Sequence, residues 1–171
     1  MMGNSLGGQI VAECAATQSP LIKKMVLVSP AGIMKKSTTV LDAYTTAALY
    51  PTHESVKMAY EMMMGQNKKV REESIVNFIS SMSRPNAKMA FISTLLGMKN
   101  SPVITEKLSL IKIPSMLIWG SEDKLIPFEY SKQFIVSMKN CHFIEMKGCG
   151  HVPYDEEPEK FSKLVLEFFA S

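Results

Sequence analysis

The chain has 171 residues, enough for one domain with a hydrophobic core and too few for two comfortable ones. Apolar residues make up 46% and charged residues 20%, a globular balance that excludes a disordered chain. The net charge of +3 comes with scattered lysine pairs, Lys23-Lys24, Lys35-Lys36 and Lys68-Lys69. No basic stripe is interleaved with aromatics, so no nucleic-acid partner is expected.

The first ten residues, MMGNSLGGQI, contain Gly3-Asn4-Ser5-Leu6-Gly7. This matches G-x-S-x-G, in which a serine sits on a strained turn between a strand and a helix. Ile10, Val11, Cys14 and Ala15 fall at helical spacing, which predicts a helix from about Leu6 to Thr17 with Ser5 at its N-terminus. Ser19-Pro20 breaks it. Met25 to Val28 is a short apolar run of the kind that forms a strand buried on both faces, and Ala31-Gly32 turns the chain away.

From Ser37 to Ser101 the periodicity is helical throughout, in TTVLDAYTTAALY, HESVKMAYEMMMG, REESIVNFISSMS and NAKMAFISTLLGM. Pro51, Gly65 and Pro85 separate these segments. Four helices without an intervening strand interrupt a β/α alternation and predict an inserted cap over the site. The alternation resumes with a strand at about Ser115 to Trp119, a helix in PFEYSKQFIVSM, a strand in NCHFIEMKG and a closing helix in PEKFSKLVLEFFA. The expected organisation is therefore core at 1–36, cap at 37–107 and core again at 108–171.

Cys14, Cys141 and Cys149 form an odd set without a CxxC pair, which argues against a disulfide framework or a zinc site and fits a reducing cytoplasm. No apolar run reaches the roughly 18 residues of a membrane-spanning helix, so no membrane partner is expected. Fourteen methionines, Met62, Met63 and Met64 among them, suit core filling or an adaptable apolar pocket.

Two loops follow the two late strands: Gly120-Ser121-Glu122-Asp123 and Gly148-Cys149-Gly150-His151. Ligands in open α/β sheets bind beyond the carboxyl ends of the strands, so Asp123 and His151 should project towards the edge that carries Ser5. A serine hydroxyl is a poor nucleophile near neutral pH and needs a base, for which imidazole titrates in the useful range. His151 is the candidate base. A carboxylate on its other nitrogen would fix the tautomer and stabilise the imidazolium, a role for Asp123, with Glu122 adjacent as a substitute. The backbone N–H of Leu6, at the start of the helix, would bind the oxyanion. His53 and His142 fall outside this constellation, near a cap-helix start and a strand start.

At GNSLGG, KMVLVSPAG, PSMLIWGSEDKLIP and GCGHVPYDEEPEKFSKLVLEFF the chain resembles the C-terminal two-thirds of an α/β-hydrolase-fold serine hydrolase. GNSLGG, the four-helix cap and SRPNAKMAFIST are most similar to esterases and to carbon-carbon bond hydrolases of the meta-cleavage-product type. A serine at position 5 speaks against haloalkane dehalogenases and epoxide hydrolases, which are expected to use aspartate there. The resemblance favours Asp123 over Glu122 as the acid.

The resemblance implies a partial α/β-hydrolase fold, a mostly parallel sheet flanked by helices with an inserted helical cap. The strands before the elbow would be missing, including the one leading into it, together with the loop that normally supplies a second oxyanion donor. It also implies attack by Ser5 on a small apolar ester, or on a carbon-carbon bond next to a ketone, without metal or organic cofactor. Asn4 belongs to the elbow and borders the substrate, Val152 borders the pocket, and Met63 and Phe91 would line it beneath the cap. The competing expectation is a truncated, catalytically idle fragment with a structural or oligomeric role. An exposed sheet edge would then invite a homodimer.

Overall fold

The computed structural model describes residues 1–66 and 69–171, so Lys68 of the third lysine pair lies outside the described residues. Its centre is a parallel sheet in the order β1-β2-β3-β4, with β1 at Met2–Asn4, β2 at Met25–Val28, β3 at Ser115–Gly120 and β4 at Cys141–Met146. The register pairs Gly3 with Leu27, Leu27 with Leu117 and Leu117 with Phe143. Each parallel step needs a crossover, and helices supply all three.

β1 corrects one expectation. The strand leading into the elbow is present: Met2, Gly3 and Asn4 pair with Val26, Leu27 and Val28. Three residues with one apolar side chain carry no readable period, so only the neighbouring strand reveals them.

Every residue of β2 and β3 is buried, as strands covered on both faces require. Alternation divides their side chains between two layers. Met25, Leu27, Leu117 and Trp119 meet Val11, Ala12 and Ala15 of α1 (Leu6–Ala16), Leu108 of α6 (Thr105–Leu108) and Phe134 of α7 (Ser131–Ser137). Val26, Val28, Met116 and Ile118 meet Phe161 and Val165 of α9 (Pro158–Ala170). Burying a side chain such as Leu27 or Leu117 contributes about 2 kcal/mol. Trp119 fills the first layer, edge-on to Phe134 with centroids 5.7 Å apart, and its indole N–H donates to the Ile126 carbonyl at 3.1 Å.

Between β2 and β3 stand the four expected helices, α2 (Thr39–Leu49), α3 (His53–Met63), α4 (Glu72–Met82) and α5 (Ala87–Asn100), followed by α6. The Thr38 hydroxyl caps α2 by accepting from Leu41 N–H at 3.2 Å, and Thr52 and Ser55 form a capping box on α3. Ala47, Ala48, Val56, Ala59, Ile75 and Phe78 make a small core of their own. The helix expected over PFEYSKQFIVSM is split into a 3-10 turn at Phe128–Tyr130 and α7, and α6 and α8 (Pro153–Glu156) are short helices that the pattern does not reveal. Among the described residues no helix is long and apolar enough to cross a membrane.

The end of α3 meets the loop after β4 backbone to backbone. His151 N–H donates to the Met63 carbonyl at 2.8 Å, and a Cβ at Gly150 would overlap Met63 O and the Met64 carbonyl carbon. Gly150→Ala is therefore expected to destabilise the chain by about 3 kcal/mol, because rigid backbone stands in the way. Gly97→Ala, in α5 with open space around it, should be neutral or stabilise by up to about 1 kcal/mol. Denaturant titration of both variants checks the pair.

Candidate active site

The three polar residues singled out from the sequence arrive from three strand ends. Ser5 follows β1 directly and has φ 53° and ψ −122°, a conformation costing a non-glycine residue on the order of 1–3 kcal/mol. Three hydrogen bonds hold it there: Ser5 N–H donates to the Val28 carbonyl at 3.0 Å, and its carbonyl accepts from Gln9 N–H at 3.1 Å and Ala31 N–H at 2.9 Å. The turn is so tight that a Cβ at Gly3 would overlap the Gly7 carbonyl. Leu6 opens α1, where the N–H groups of the first turn have no intrahelical partner and the helix end is positive.

Asp123 and His151 are 4% and 3% exposed and meet directly, with Asp123 Oδ2 2.8 Å from His151 Nδ1. The other carboxylate oxygen, Oδ1, accepts from the N–H groups of Leu125 and Ile126 at 2.9 Å each. A carboxylate can only accept, so beside an ionised Asp123 it is Nδ1 that donates, and in a neutral imidazole Nε2 then carries the lone pair. Glu122 is turned elsewhere, its Oε2 accepting from Gln66 N–H at 2.6 Å. Asn4 joins the two halves of the site: its Nδ2 donates to the Val28 carbonyl at 3.1 Å and to the His151 carbonyl at 3.3 Å.

Ser5 and His151 face one cavity of about 290 Å³ between core and cap. Asn4, Val152 and Met63 line it, with Met64, Leu41 and Leu125 adding apolar wall. Phe91 is set back: it meets the Tyr44 ring edge-on at 5.5 Å, and Tyr44 is the ring that reaches the cavity. A second cavity of about 560 Å³ under α5 shares Leu41 and Leu125 with the first. His53 pairs with Glu72 at 2.7 Å on the cap surface, and His142 is exposed on β4.

Sequence reasoning missed the polar side of the cavity. Tyr44, Tyr60 and Tyr154 line it with Ser74 and the Arg71–Asp155 ion pair. Tyr44 and Tyr60 stand on successive cap helices where periodicity marks them simply as core. Burial pushes the Tyr44 phenol up to about 12 and raises those of Tyr60 and Tyr154, so all three remain hydrogen-bond donors well above neutral pH.

A meta-cleavage product hydrolase from Pseudomonas fluorescens IP01 superimposes with a TM-score of 0.86 at 22% identity, over 99% of this chain and 63% of that one. A 2-hydroxy-6-oxononadienedioate/2-hydroxy-6-oxononatrienedioate hydrolase from Pseudomonas sp is 24% identical over 176 residues, covering 99% of this chain and 62% of the relative. The Homo sapiens monoacylglycerol lipase ABHD6 is 24% identical over 183 residues, covering all of this chain and 54% of the relative. The chain thus spans between half and two-thirds of the length of these proteins.

The parallel sheet with its flanking helices is a partial α/β-hydrolase fold. Within that class the chain belongs to the hydrolase family described as serine aminopeptidase, S33, which matches residues 1–158.

The tyrosines generate a signed prediction. Their folded pKa lies above the unfolded value of about 10, so the unfolded chain ionises first and folding stability should fall as pH rises from about 10 towards 12. Denaturant midpoints across that range, with Tyr44→Phe as the variant that flattens the slope, check it.

Proposed function

We propose that this chain carries the catalytic residues of a serine hydrolase acting on a carboxylic ester or on a carbon-carbon bond next to a ketone. The observation that carries the reading is the buried His151–Asp123 hydrogen bond at 2.8 Å, opening on the same cavity as a serine held at positive φ. The names of the relatives, a meta-cleavage product hydrolase, a 2-hydroxy-6-oxononadienedioate/2-hydroxy-6-oxononatrienedioate hydrolase and a monoacylglycerol lipase, support these two substrate classes.

In this mechanism Ser5 Oγ forms a bond to the substrate carbonyl carbon while its proton passes to His151 Nε2. Asp123 holds the imidazole by Nδ1 and stabilises the imidazolium. The oxyanion turns to the Leu6 N–H at the start of α1. On collapse the bond to the leaving group breaks, and His151 returns the proton to the leaving oxygen or carbon. Water, deprotonated by the same imidazole, then bonds to the acyl carbon; the bond to Ser5 Oγ breaks, and His151 returns the proton to Oγ as the acid leaves. Met63, Met64, Leu41, Leu125 and Val152 would hold the apolar part of the substrate, and the phenols of the opposite wall would donate to its polar group.

One oxyanion donor is worth about 3 kcal/mol, a factor of about 10² in rate, so the Leu6 N–H is expected to supply a measurable share of turnover. Hydrolysis of p-nitrophenyl butyrate by the 171-residue chain is the test. Ser5→Ala should abolish it, and Asp123→Asn should lower kcat by about 10⁴ through the wrong tautomer. Turnover unchanged in Ser5→Ala would refute the reading. Two finer parts of the proposal are a reducing cytoplasm, on the odd cysteine set, and pairing of two copies through the open edge of β1. A mass of twice 19.0 kDa at micromolar concentration is expected for the pair, and a 19.0 kDa particle would rule it out.

A further inference from the structure

One side chain near the triad accepts more backbone hydrogen bonds than its position on a short helix explains. Glu156, the last residue of α8, receives Gly150 N–H on both carboxylate oxygens, at 2.9 Å on Oε1 and 3.0 Å on Oε2. Oε2 also receives Gly65 N–H at 2.8 Å. Gly150 immediately precedes His151, and Gly65 immediately follows Met63 and Met64 of the cavity wall. A single carboxylate therefore bridges the exit of cap helix α3 and the loop of the candidate base.

The surroundings explain why the group must come from outside both segments. The two strands of backbone already touch, with His151 N–H on the Met63 carbonyl at 2.8 Å. A Cβ on Gly65 would overlap the Gly148 carbonyl, and one on Gly150 would overlap Met63 O, so neither segment has room for a side chain of its own at the crossing. Amides so enclosed need a partner that reaches in. Glu156 does so from α8, whose backbone is tied to the same loop because Glu156 N–H donates to the Val152 carbonyl at 3.1 Å.

We propose that Glu156 is a positioning residue: it clamps the Gly65 turn of the cap to Gly150, and so sets the height of the His151 imidazole over Ser5 while fixing Met63 and Met64 in the cavity wall. This rests on the reading of Ser5 and His151 as nucleophile and base. The clamp links cap position to base position, so that a substrate pressing on Met63 acts on the same hydrogen bonds that hold His151.

Three variants of the full chain separate hydrogen bonding from charge. Glu156→Ala removes the acceptor, and Glu156→Asp keeps the charge on a side chain one methylene shorter. Glu156→Gln keeps one oxygen, which at the Oε2 position still accepts from both amides, and puts an NH2 donor against the Gly150 N–H in place of Oε1. Amide hydrogen exchange at Gly65 and Gly150 should accelerate in the Ala and Asp variants, whereas in Gln the Gly65 amide should stay protected. On p-nitrophenyl butyrate the first two should lose up to about 10² in kcat, the cost of about an ångström of misplacement, with KM little changed and Gln between Ala and the parent. The ¹⁵N resonances of the His151 ring should shift in Ala and Asp.

Unchanged exchange and ring resonances in a folded Ala or Asp variant would overturn the clamp, and so would a Gln variant whose Gly65 amide exchanges as fast as in Ala. If the parent chain shows no turnover, the hydrolase reading fails by itself. Exchange and ring resonances then still decide whether Glu156 positions His151.

Discussion

The site depends on main chain lying against main chain where three segments cross. The end of α3, the end of β3 and the loop after β4 approach so closely that Cβ atoms at Gly65, Gly120 or Gly150 would occupy the opposing backbone. At this distance side-chain packing gives way to hydrogen bonds between rigid groups, which define position to a fraction of an ångström. His151 N–H on Met63 O is one such bond and Glu122 N–H on Cys149 O, at 2.8 Å, is another. The imidazole is placed by its peptide bonds before its own side-chain contact with Asp123 is counted.

The parallel sheet explains why the other two residues arrive at the same spot. Its strands all end on one side, so the residues just beyond β1, β3 and β4 share an edge although they stand at positions 5, 123 and 151. Strain at Ser5 is tolerated because hydrogen bonds to Val28, Gln9 and Ala31 over-determine the turn. The buried Asp123 is satisfied on both oxygens, two backbone amides on one and the imidazole on the other, which removes the main cost of enclosing a carboxylate. Architecture, strain and electrostatics therefore converge on one cavity, with an apolar wall from the methionines and a donor wall from the tyrosines.

What could be read in the sequence follows from how local each signal is. Buried strands β2 and β3 and helices α1 to α5 announce themselves by runs and periods several residues long, and the two glycine-flanked loops mark strand ends. β1 is too short to carry a period and exists because β2 offers it a partner. The split before α7 and the four-residue helices α6 and α8 lie below the length at which a pattern forms. At the site, Asn4, Met63 and Val152 could be singled out because they adjoin a motif or a helix end. Tyr44, Tyr60 and Arg71 were not, because helical periodicity says that a face is buried without saying whether core or cavity lies beyond it. Phe91 illustrates the same ambiguity from the other side, as an apolar cap residue that packs behind the cavity ring. Glu156 was hidden among Asp155, Glu156 and Glu157, three acids in a row that only the fold tells apart.

The account stands or falls on whether Ser5 is made nucleophilic by His151. Reaction of the folded chain with a fluorophosphonate, followed by peptide mass spectrometry and repeated on His151→Ala, measures this directly. The account predicts a single adduct on Ser5 in the parent chain, with a formation rate that collapses in the variant. A folded chain without an adduct on Ser5, or one that labels equally fast in His151→Ala, would contradict it.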